Sequence, residues 1–203
     1  MAPTLLDSFV KIRERYLYLT EVEAYGGSDD EASHAHRRLT PRNKVMFEEV
    51  GRLYVYFTYG MHNCVNVVAH RDGEAGAVLI RSGVGLYWKD DELHVEPILG
   101  PGRVGKYLGV TPIDSGVDVV PSVKPETDVT SLPYLIGRDP ELSSCIYQHL
   151  NMVKSVEINA GPRVGISKAN DKHWRFCLSS SSLVSKFRVA KPKKNRQMFT
   201  DLR

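Results

Sequence analysis

The chain has 203 residues, of which 42% are hydrophobic and 25% charged, and this length and composition predict one globular domain with its own apolar core. The formal net charge of +3 is too small to indicate, by itself, an acidic or a basic partner. Three cysteines without a C-x-x-C pair exclude a disulfide framework, and neither a signal peptide nor a membrane-spanning apolar run is evident.

The first strong element is the segment YLYLTEVEAY, residues 16–25, whose composition predicts a strand. Alternate residues of a strand share a face, so Glu23 lies on the same face as the apolar Leu17 and Leu19. Because an unpaired charge is costly to bury, we expect Glu23 to lie near the edge of a core and to be paired or functional. Arg81, in the later strand AVLIR, is equally out of place and is a candidate partner.

A polar loop, GGSDDEASHAHRRL, follows this strand and contains His34 and His36. An H-x-H pair can bind a metal, but no third ligand stands at a recognisable spacing, so no metal site is predicted. Thr40 and Pro41 then form a good helix start, a hydroxyl cap followed by proline at the first helical position. They predict a short helix from Pro41 to about Glu49.

Residues 52–70, RLYVYFTYGMHNCVNVVAH, predict a β-hairpin whose turn falls near Tyr59 and Gly60. Strand packing is the usual explanation for the tyrosines of its first strand. Tyr59 differs, because a large ring at a hairpin tip has little core to join. We interpret it as a candidate wedge or stacking platform.

The rest of the chain contains short elements only. GPGRVG, residues 100–105, matches G-x-G-x-x-G, but glycine and proline follow within two turns, which argues against a dinucleotide site. The segment leaves open a short helix N-terminus that could contact one phosphate. PELSSCIYQHLNM predicts a helix, and GPRVGIS and WRFCLSS predict short strands. Together the elements predict an α+β domain with a mostly antiparallel sheet and a few short helices.

Basic residues are concentrated in two runs, HRRLTPRNK at residues 36–44 and VSKFRVAKPKKNRQ at residues 184–197. Local basic patches can neutralise phosphates, although a solvated tail is an equally good explanation of the second run. We divide the chain into a single domain, residues 1–190, and a basic C-terminal tail, residues 191–203.

Eight successive segments between about residues 20 and 185 resemble the consecutive motifs of the alkyladenine (3-methyladenine) DNA glycosylases. They are TEVEAY, DEASHAH, TPRNKVMF, LYVYFTYGMHNCVNVV, AVLIRS, GPGRVGKYLGV, PRVGIS and WRFCLSSSSLVS. The combination of E-A-Y, T-P-R-N and L-Y-V-Y-x-x-Y-G-M is highly specific. The resemblance implies a single domain built on a curved, mostly antiparallel sheet with a protruding β-hairpin.

The resemblance also implies a monofunctional enzyme of base-excision repair, with no lyase step. Such an enzyme flips a damaged nucleotide out of double-stranded DNA and hydrolyses its N-glycosidic bond. The implied substrates are alkylated or deaminated purines: 3-methyladenine, 7-methylguanine, hypoxanthine and ethenoadenine. No cofactor or metal is implied, and we expect a monomer in the cytoplasm of a bacterium, associated with the nucleoid, or in a eukaryotic nucleus.

The roles of individual residues follow from the resemblance. Glu23 is the expected base that activates a water, Arg81 a partner that orients the water, and the carbonyl of Val164 a third contact of the water. The other expected roles concern the base and the DNA. The residues are Tyr25, His34, Tyr56 and Asn66 in the base pocket, Tyr59 as the intercalating wedge, and Arg42, Arg103 and Lys106 on the DNA backbone.

The match is imperfect in three places. Only 22 residues precede Glu23, and the usual L-L-G step is missing. His62 stands where a tyrosine is often found, and Ser180 stands where glycine is expected; either could narrow the substrate range or lower activity.

Two other functions remain open: a damaged-DNA-binding module without catalysis, and a metal-dependent hydrolase using His34, His36 and nearby acids. The joint presence of five site residues argues against the first, because binding alone does not need a water-activating pair; they are Glu23, Arg81, Tyr25, His34 and Asn66. Insensitivity to a chelator would exclude the second.

Overall fold

The computed structural model describes residues 2–58, 60–90, 92–122, 133–151, 157–178 and 181–187. Within them the chain forms a single domain with a curled, mostly antiparallel sheet and two α-helices, which confirms the predicted α+β class. Tyr59 and the predicted tail, residues 191–203, lie outside the described residues. The described part of the chain has no helix long and apolar enough to cross a membrane.

The described residues contribute ten strands to the sheet. In chain order they are β1 (Phe9–Ile12), β2 (Arg15–Tyr25), β3 (Leu53–Thr58), β4 (His62–Val68), β5 (Ala77–Lys89), β6 (Glu92–Leu99), β7 (Val120–Ser122), β8 (Tyr134–Gly137), β9 (Ile158–Gly161) and β10 (Arg175–Leu178). The main strand order is β3-β4-β5-β2-β1-β8-β7, while β6 pairs with β5, and β10 pairs with both β2 and β9. Among these strands only β7 and β8 pair in parallel.

The two longest strands, β2 and β5, form the centre of the sheet. Their register pairs Tyr16 with Leu86 at one end and Tyr25 with Ala77 at the other. The first half is flanked by β1 and β6, and the second half by β10 and β4. The register shifts around Glu21, between these halves.

The core lies on both faces of this central pair. Leu17 and Leu19 belong to one apolar cluster, while Tyr18 and Val22 belong to a second. Successive side chains of β2 are therefore buried on opposite faces, whereas the sequence pattern identified only the face of Leu17 and Leu19. Full burial of one such leucine stabilises the fold by about 1.5–3 kcal/mol.

The structure has an α-helix where PELSSCIYQHLNM predicts one, and a second α-helix begins within GPGRVG. Helix α1 (Pro101–Leu108) follows Gly100, which has a φ of 101°, and ends at Gly109, whose φ of 65° is left-handed. Helix α2 (Pro140–His149) is capped by the Asp139 side chain, which accepts two backbone N–H groups of the first turn. The GPGRVG segment is thus the start of a short helix.

The helix predicted from Pro41 to Glu49 is wrong, because only a 3-10 turn, Lys44–Phe47, forms there. Asn43 accounts for the difference. Its side-chain oxygen accepts hydrogen bonds from the backbone and the hydroxyl of Thr40, and its amide donates to two carbonyls of the preceding loop. These local bonds compete with a regular helix.

The strand predicted from GPRVGIS is also wrong, because β9 ends at Gly161 and the following residues are irregular. Pro162 has no N–H for a ladder, and Gly165 has a φ of 75°. The Arg163 side chain is fully buried. The strand predicted from WRFCLSS is confirmed as β10.

The predicted hairpin is formed by β3 and β4, with Thr58 opposite His62 at its tip. Helix α1 packs against β4 so closely that a Cβ at Gly105 would overlap the carbonyl oxygen of Asn63. A strand also precedes the E-A-Y strand, since β1 forms a hairpin with β2.

Candidate active site

The register of the central strands brings together the charged residues that the sequence singled out. Glu23 of β2 pairs with Leu79 of β5, two positions before Arg81. Asn66 of β4 pairs with the same Leu79 from the other side. The ion pair expected between Glu23 and Arg81 is present, with 3.3 Å between Oε2 and Nη1, and both side chains are buried.

Three donors hold the Glu23 carboxylate, which has no exposed surface. The Tyr25 hydroxyl donates to Oε2 over 2.8 Å, alongside Arg81 Nη1. The backbone N–H of Val164 donates to Oε1 over 2.7 Å. The N–H of Val164 therefore contacts Glu23 directly, an interaction that the sequence did not predict.

The donors keep their protons at neutral pH. Burial, reinforced by the Glu23 carboxylate, raises the pKa of Tyr25 well above its ordinary value. Burial would lower the pKa of Arg81, but the neighbouring Glu23 and Glu21 carboxylates raise it overall. Glu23 thus faces a phenol, a guanidinium and a peptide N–H, all of them donors.

A cavity of about 230 Å³ opens beside this carboxylate. All four predicted base-pocket residues line it, and so do Arg81 and Val164. Tyr25, Arg81 and Val164 therefore line the cavity and also contact the Glu23 carboxylate. The complete lining is Tyr25, Ala32, His34, Met46, Tyr54, Tyr56, Thr58, Cys64, Asn66, Leu79, Arg81, Pro101, Val164, Gly165 and Ile166.

Aromatic rings form one wall of the cavity. His34 contacts Tyr56 edge-on, with 4.7 Å between ring centroids, and its Nδ1 lies 2.9 Å from the Tyr54 hydroxyl. Burial and the charge of Arg42 lower the pKa of His34 below 6.5, so the imidazole is neutral at pH 7. Burial raises the pKa of Tyr54 to about 12. This wall is therefore polarisable but uncharged.

Asn66 closes the cavity on the β4 side. Its amide group donates to the backbone carbonyl of Tyr54 over 2.8 Å, and only 3% of the residue is exposed. The hydrogen bond fixes the orientation of the side chain. Asn66 is thus a rigid feature of the cavity wall.

A second acid, Glu21, is the main feature that the sequence analysis missed. It is fully buried and pairs with Arg81 Nε over 3.0 Å and Arg175 Nε over 2.7 Å. Burial would raise the pKa of Glu21, but Arg81 and hydrogen bonds from Ser82, Ser185 and Arg175 lower it overall. The sequence signal was its position, two residues before Glu23 in the same apolar strand.

Arg163 and Asp30 form another unpredicted buried pair, with contacts of 2.6 and 2.7 Å. The Arg163 guanidinium also stacks between two rings, 4.7 Å from the centroid of Tyr25 and 5.4 Å from that of Trp174. Because Arg163 directly precedes Val164, this pair fixes the segment whose N–H contacts Glu23.

The three predicted backbone contacts are exposed cations near the cavity. Arg42 lies over the ring of Tyr56, 5.3 Å from its centroid, and donates to the carbonyl of Phe57. Arg103 and Lys106 belong to α1, whose first residue lines the cavity. Tyr59, the predicted wedge, and Ser180 lie outside the described residues.

The two histidines considered as metal ligands point to different partners. His34 Nδ1 faces the Tyr54 hydroxyl, and His36 Nδ1 faces the carbonyl of Ser28 at 2.7 Å. Within the described ranges, no group of three or more His, Cys, Asp or Glu side chains is arranged to hold a metal ion.

Comparison with known proteins gives a consistent assignment. The family model described as methylpurine-DNA glycosylase (MPG) matches residues 1–182. Relatives provisionally named 3-methyladenine DNA glycosylase include one from Cutibacterium acnes, 39% identical over 91% of this chain and 93% of that protein. Others come from Frankia casuarinae, 40% identical over 91% and 86%, and Prosthecochloris aestuarii, 35% identical over 98% and 91%. The chain therefore belongs to the methylpurine-DNA glycosylase family, DNA repair hydrolases that cleave N-glycosidic bonds.

Proposed function

We propose that this enzyme removes alkylated or deaminated purines from duplex DNA by hydrolysis, with the damaged base flipped into the cavity and the water activated by Glu23. The observation that carries the proposal is the buried Glu23 carboxylate, whose three donors all belong to the wall or floor of an aromatic cavity. The proposed substrates are 3-methyladenine, 7-methylguanine, hypoxanthine and ethenoadenine.

The hydrogen-bond count of Glu23 supports a role as the base. An ionised carboxylate offers about four acceptor sites, and the described donors fill three of them. Among the described residues, Val164 alone donates to Oε1, so this oxygen has room to accept a hydrogen bond from a water. We assign the orientation of that water to Glu23, the Arg81 guanidinium and the carbonyl of Val164.

The same carboxylate suits the electronic demand of the reaction. Cleavage of an N-glycosidic bond develops positive charge on the sugar, and a fixed negative charge in a water-poor site stabilises it. Proton transfer from the attacking water to Glu23 supplies general base catalysis. Alkylated purines are already cationic and leave readily, whereas hypoxanthine and ethenoadenine also require protonation of the leaving base.

The walls of the cavity suit a flipped purine. Tyr25 and Tyr56 offer ring faces for stacking, and the neutral His34 can donate or accept a hydrogen bond at its second nitrogen without adding charge. Asn66, fixed by its bond to Tyr54, is proposed to crowd the exocyclic amine of normal guanine. Tyr59 is proposed to fill the gap left in the duplex.

The exposed cations at the cavity are proposed to grip the DNA backbone, with Arg42 at the rim and Arg103 and Lys106 on α1. Contacts of this kind make affinity fall steeply as salt is added. We propose that the protein acts as a monomer, in the cytoplasm and associated with the nucleoid if its source is bacterial, and in the nucleus if its source is eukaryotic.

A module that only binds damage would not need this arrangement. Burying a carboxylate is costly unless it is paired, and binding alone gives no reason to bury Glu23 beside a base-sized cavity with an acceptor site left over. Binding without catalysis is therefore not a second proposal. It is the function that would remain if the protein bound damaged DNA but released no base.

The test is identification of the products. Methylated DNA and duplexes containing hypoxanthine or ethenoadenine are incubated with the enzyme in the presence of a chelator, and released bases are separated by chromatography. We expect free damaged base and an intact, alkali-labile abasic strand. Loss of activity in chelator would contradict the metal-free mechanism, and accumulation of β-eliminated strands would contradict the monofunctional one.

A further inference from the structure

We infer that Glu21 is a positioning residue for the reaction. It holds the Arg81 guanidinium so that Arg81 donates to Glu21, Glu23 and Ser185 through different nitrogens. This arrangement keeps one acceptor site of Glu23 open for the attacking water. The inference rests on the proposed role of Glu23 as the base. It concerns a residue that does not line the cavity and is not proposed to touch the substrate.

Glu21 is saturated with donors, in contrast to Glu23. Its fully buried carboxylate accepts five hydrogen bonds, which fill both oxygens and leave no site for a water. The donors are Arg81 Nε at 3.0 Å, Arg175 Nε at 2.7 Å and Ser185 Oγ at 2.9 Å to Oε1, and Ser82 Oγ at 2.6 Å and Ser185 N at 2.7 Å to Oε2. Glu21 can therefore orient neighbours but cannot itself activate water.

The guanidinium of Arg81 is divided among three partners. Its Nε donates to Glu21, its Nη1 donates to Glu23, and its Nη2 donates to the Ser185 hydroxyl over 3.1 Å. Arginine otherwise favours a bidentate pair with a single carboxylate, through two parallel N–H groups. Arg81 therefore donates to Glu23 through a single nitrogen, because Glu21 and Ser185 accept hydrogen bonds from the other two nitrogens of the guanidinium.

Removal of the Glu21 charge would weaken the hydrogen bond that holds Arg81 Nε. Arg81 could then turn onto both oxygens of Glu23 and fill the acceptor site that the water needs. The charge balance would change as well, because two carboxylates, Glu21 and Glu23, now face two guanidiniums, Arg81 and Arg175. An uncompensated positive charge would oppose the cationic sugar of the transition state.

Three further titratable groups among the described residues lie around this cluster and leave its net charge unchanged. Burial raises the pKa of the Cys64 thiol, so it is uncharged at neutral pH. Arg163 stacks on the ring of Tyr25, and its charge is compensated by Asp30. Cys177 lies beside Glu21 on β10, and burial raises the pKa of its thiol, so it adds no charge at neutral pH. Among the described residues, the ion-paired charges of this cluster are therefore those of Glu21, Glu23, Arg81 and Arg175.

The experiment is a pH profile of single-turnover hypoxanthine excision from a duplex for four enzymes: wild type, Glu21→Gln, Arg175→Gln and the double variant. We expect Glu21→Gln to lower the rate about 10- to 100-fold while the Kd for lesion DNA changes less than about threefold. The acid limb of the profile is the range in which the excision rate falls as the pH is lowered. The loss of one negative charge should move this limb about one pH unit lower. Arg175→Gln should move it upward, and the double variant should return it close to the wild-type position.

Thermal melting of each variant checks that the protein is folded. Glu92→Gln, at an exposed position of strand β6, serves as a charge-matched control with an unchanged profile. If Glu21→Gln does not fold, the upward shift of the acid limb in Arg175→Gln still tests the inference, because the Arg175 side chain is 12% exposed and its replacement is easier to accommodate. A fall in rate with the acid limb unmoved in both single variants would make Glu21 merely structural and overturn the inference. Retention of excision by Glu23→Gln would instead overturn the proposed function on which it rests.

Discussion

The substitution Asp30→Asn should destabilise the enzyme strongly, because it breaks the buried pair with Arg163, which directly precedes the cavity-lining Val164. The Asp30 and Arg163 side chains both have 0% exposure. The Asp30 carboxylate accepts four hydrogen bonds, two from Arg163 and one each from the backbone N–H groups of Gly26 and Ala32. An asparagine keeps the shape but removes the charge and one acceptor oxygen.

The magnitude follows from what Arg163 would lose. Its Nε already lacks a hydrogen-bond partner among the described residues, and the carbonyl of Ala24 is its other acceptor, at 2.9 Å from Nη1. Breaking a buried pair from one side typically costs about 3–5 kcal/mol, because the other charge stays buried and unpaired. For a chain of this length that corresponds to a fall in Tm of roughly 6–20 °C.

The assay is urea unfolding, with Glu31→Gln as the matched control. Glu31 pairs with Lys168, but these side chains are 52% and 55% exposed, so the control should leave the unfolding midpoint unchanged. The double variant Asp30→Asn/Arg163→Met should recover part of the lost stability, since it also removes the buried, unpaired charge of Arg163. Equal midpoints for Asp30→Asn and Glu31→Gln would refute the reasoning.

Three further predictions concern stability and DNA binding. Burial would raise the pKa of the Glu21 and Asp30 carboxyl groups, but hydrogen bonds and ion pairs lower it overall. The two carboxylates therefore stabilise the folded protein above about pH 4.5, and this contribution is lost as the pH falls through the folded-state pKa values. Tm measured against pH should drop below pH 4, and less steeply in Asp30→Asn. Gly105→Ala should cost about 3 kcal/mol or more in chemical unfolding, because its Cβ would overlap the Asn63 carbonyl. Arg103→Gln should reduce the slope of log affinity against log salt by about 1 in DNA-binding titrations, and an unchanged slope would remove Arg103 from the DNA interface.

The sequence predicted the architecture well where one physical signal dominated. Apolar and aromatic runs located β2, β3 and β4, and the misplaced charges of Glu23 and Arg81 predicted their own ion pair. Helical periodicity in PELSSCIYQHLNM located α2. These features depend on local pattern and on the cost of burying a charge.

The failures arise where side chains redirect the backbone. Thr40 and Pro41 resemble a helix start, but Asn43 ties the segment into the preceding loop. The irregular segment after β9 depends on Arg163 reaching Asp30, 133 positions earlier in the chain, which no local pattern reveals.

The role of Glu21 could not be predicted because its partners are distant in the sequence. Arg175 and Ser185 approach it only when β10 pairs with β2 and the segment after β10 packs beside it. Its position in β2, two residues before Glu23, cannot distinguish a carboxylate that is saturated with donors from one that can still accept a hydrogen bond.

The most direct test of the central claim measures binding and base release in the same sample for wild type and Glu23→Gln. A duplex with a single hypoxanthine is mixed with excess enzyme and chelator, the Kd is taken from fluorescence anisotropy, and released base is quantified over time. We expect the variant to bind within about threefold of wild type and to release base at least about 100-fold more slowly. Equal release by the two enzymes would contradict Glu23 as the base, and binding without release by both would leave a damage-binding protein.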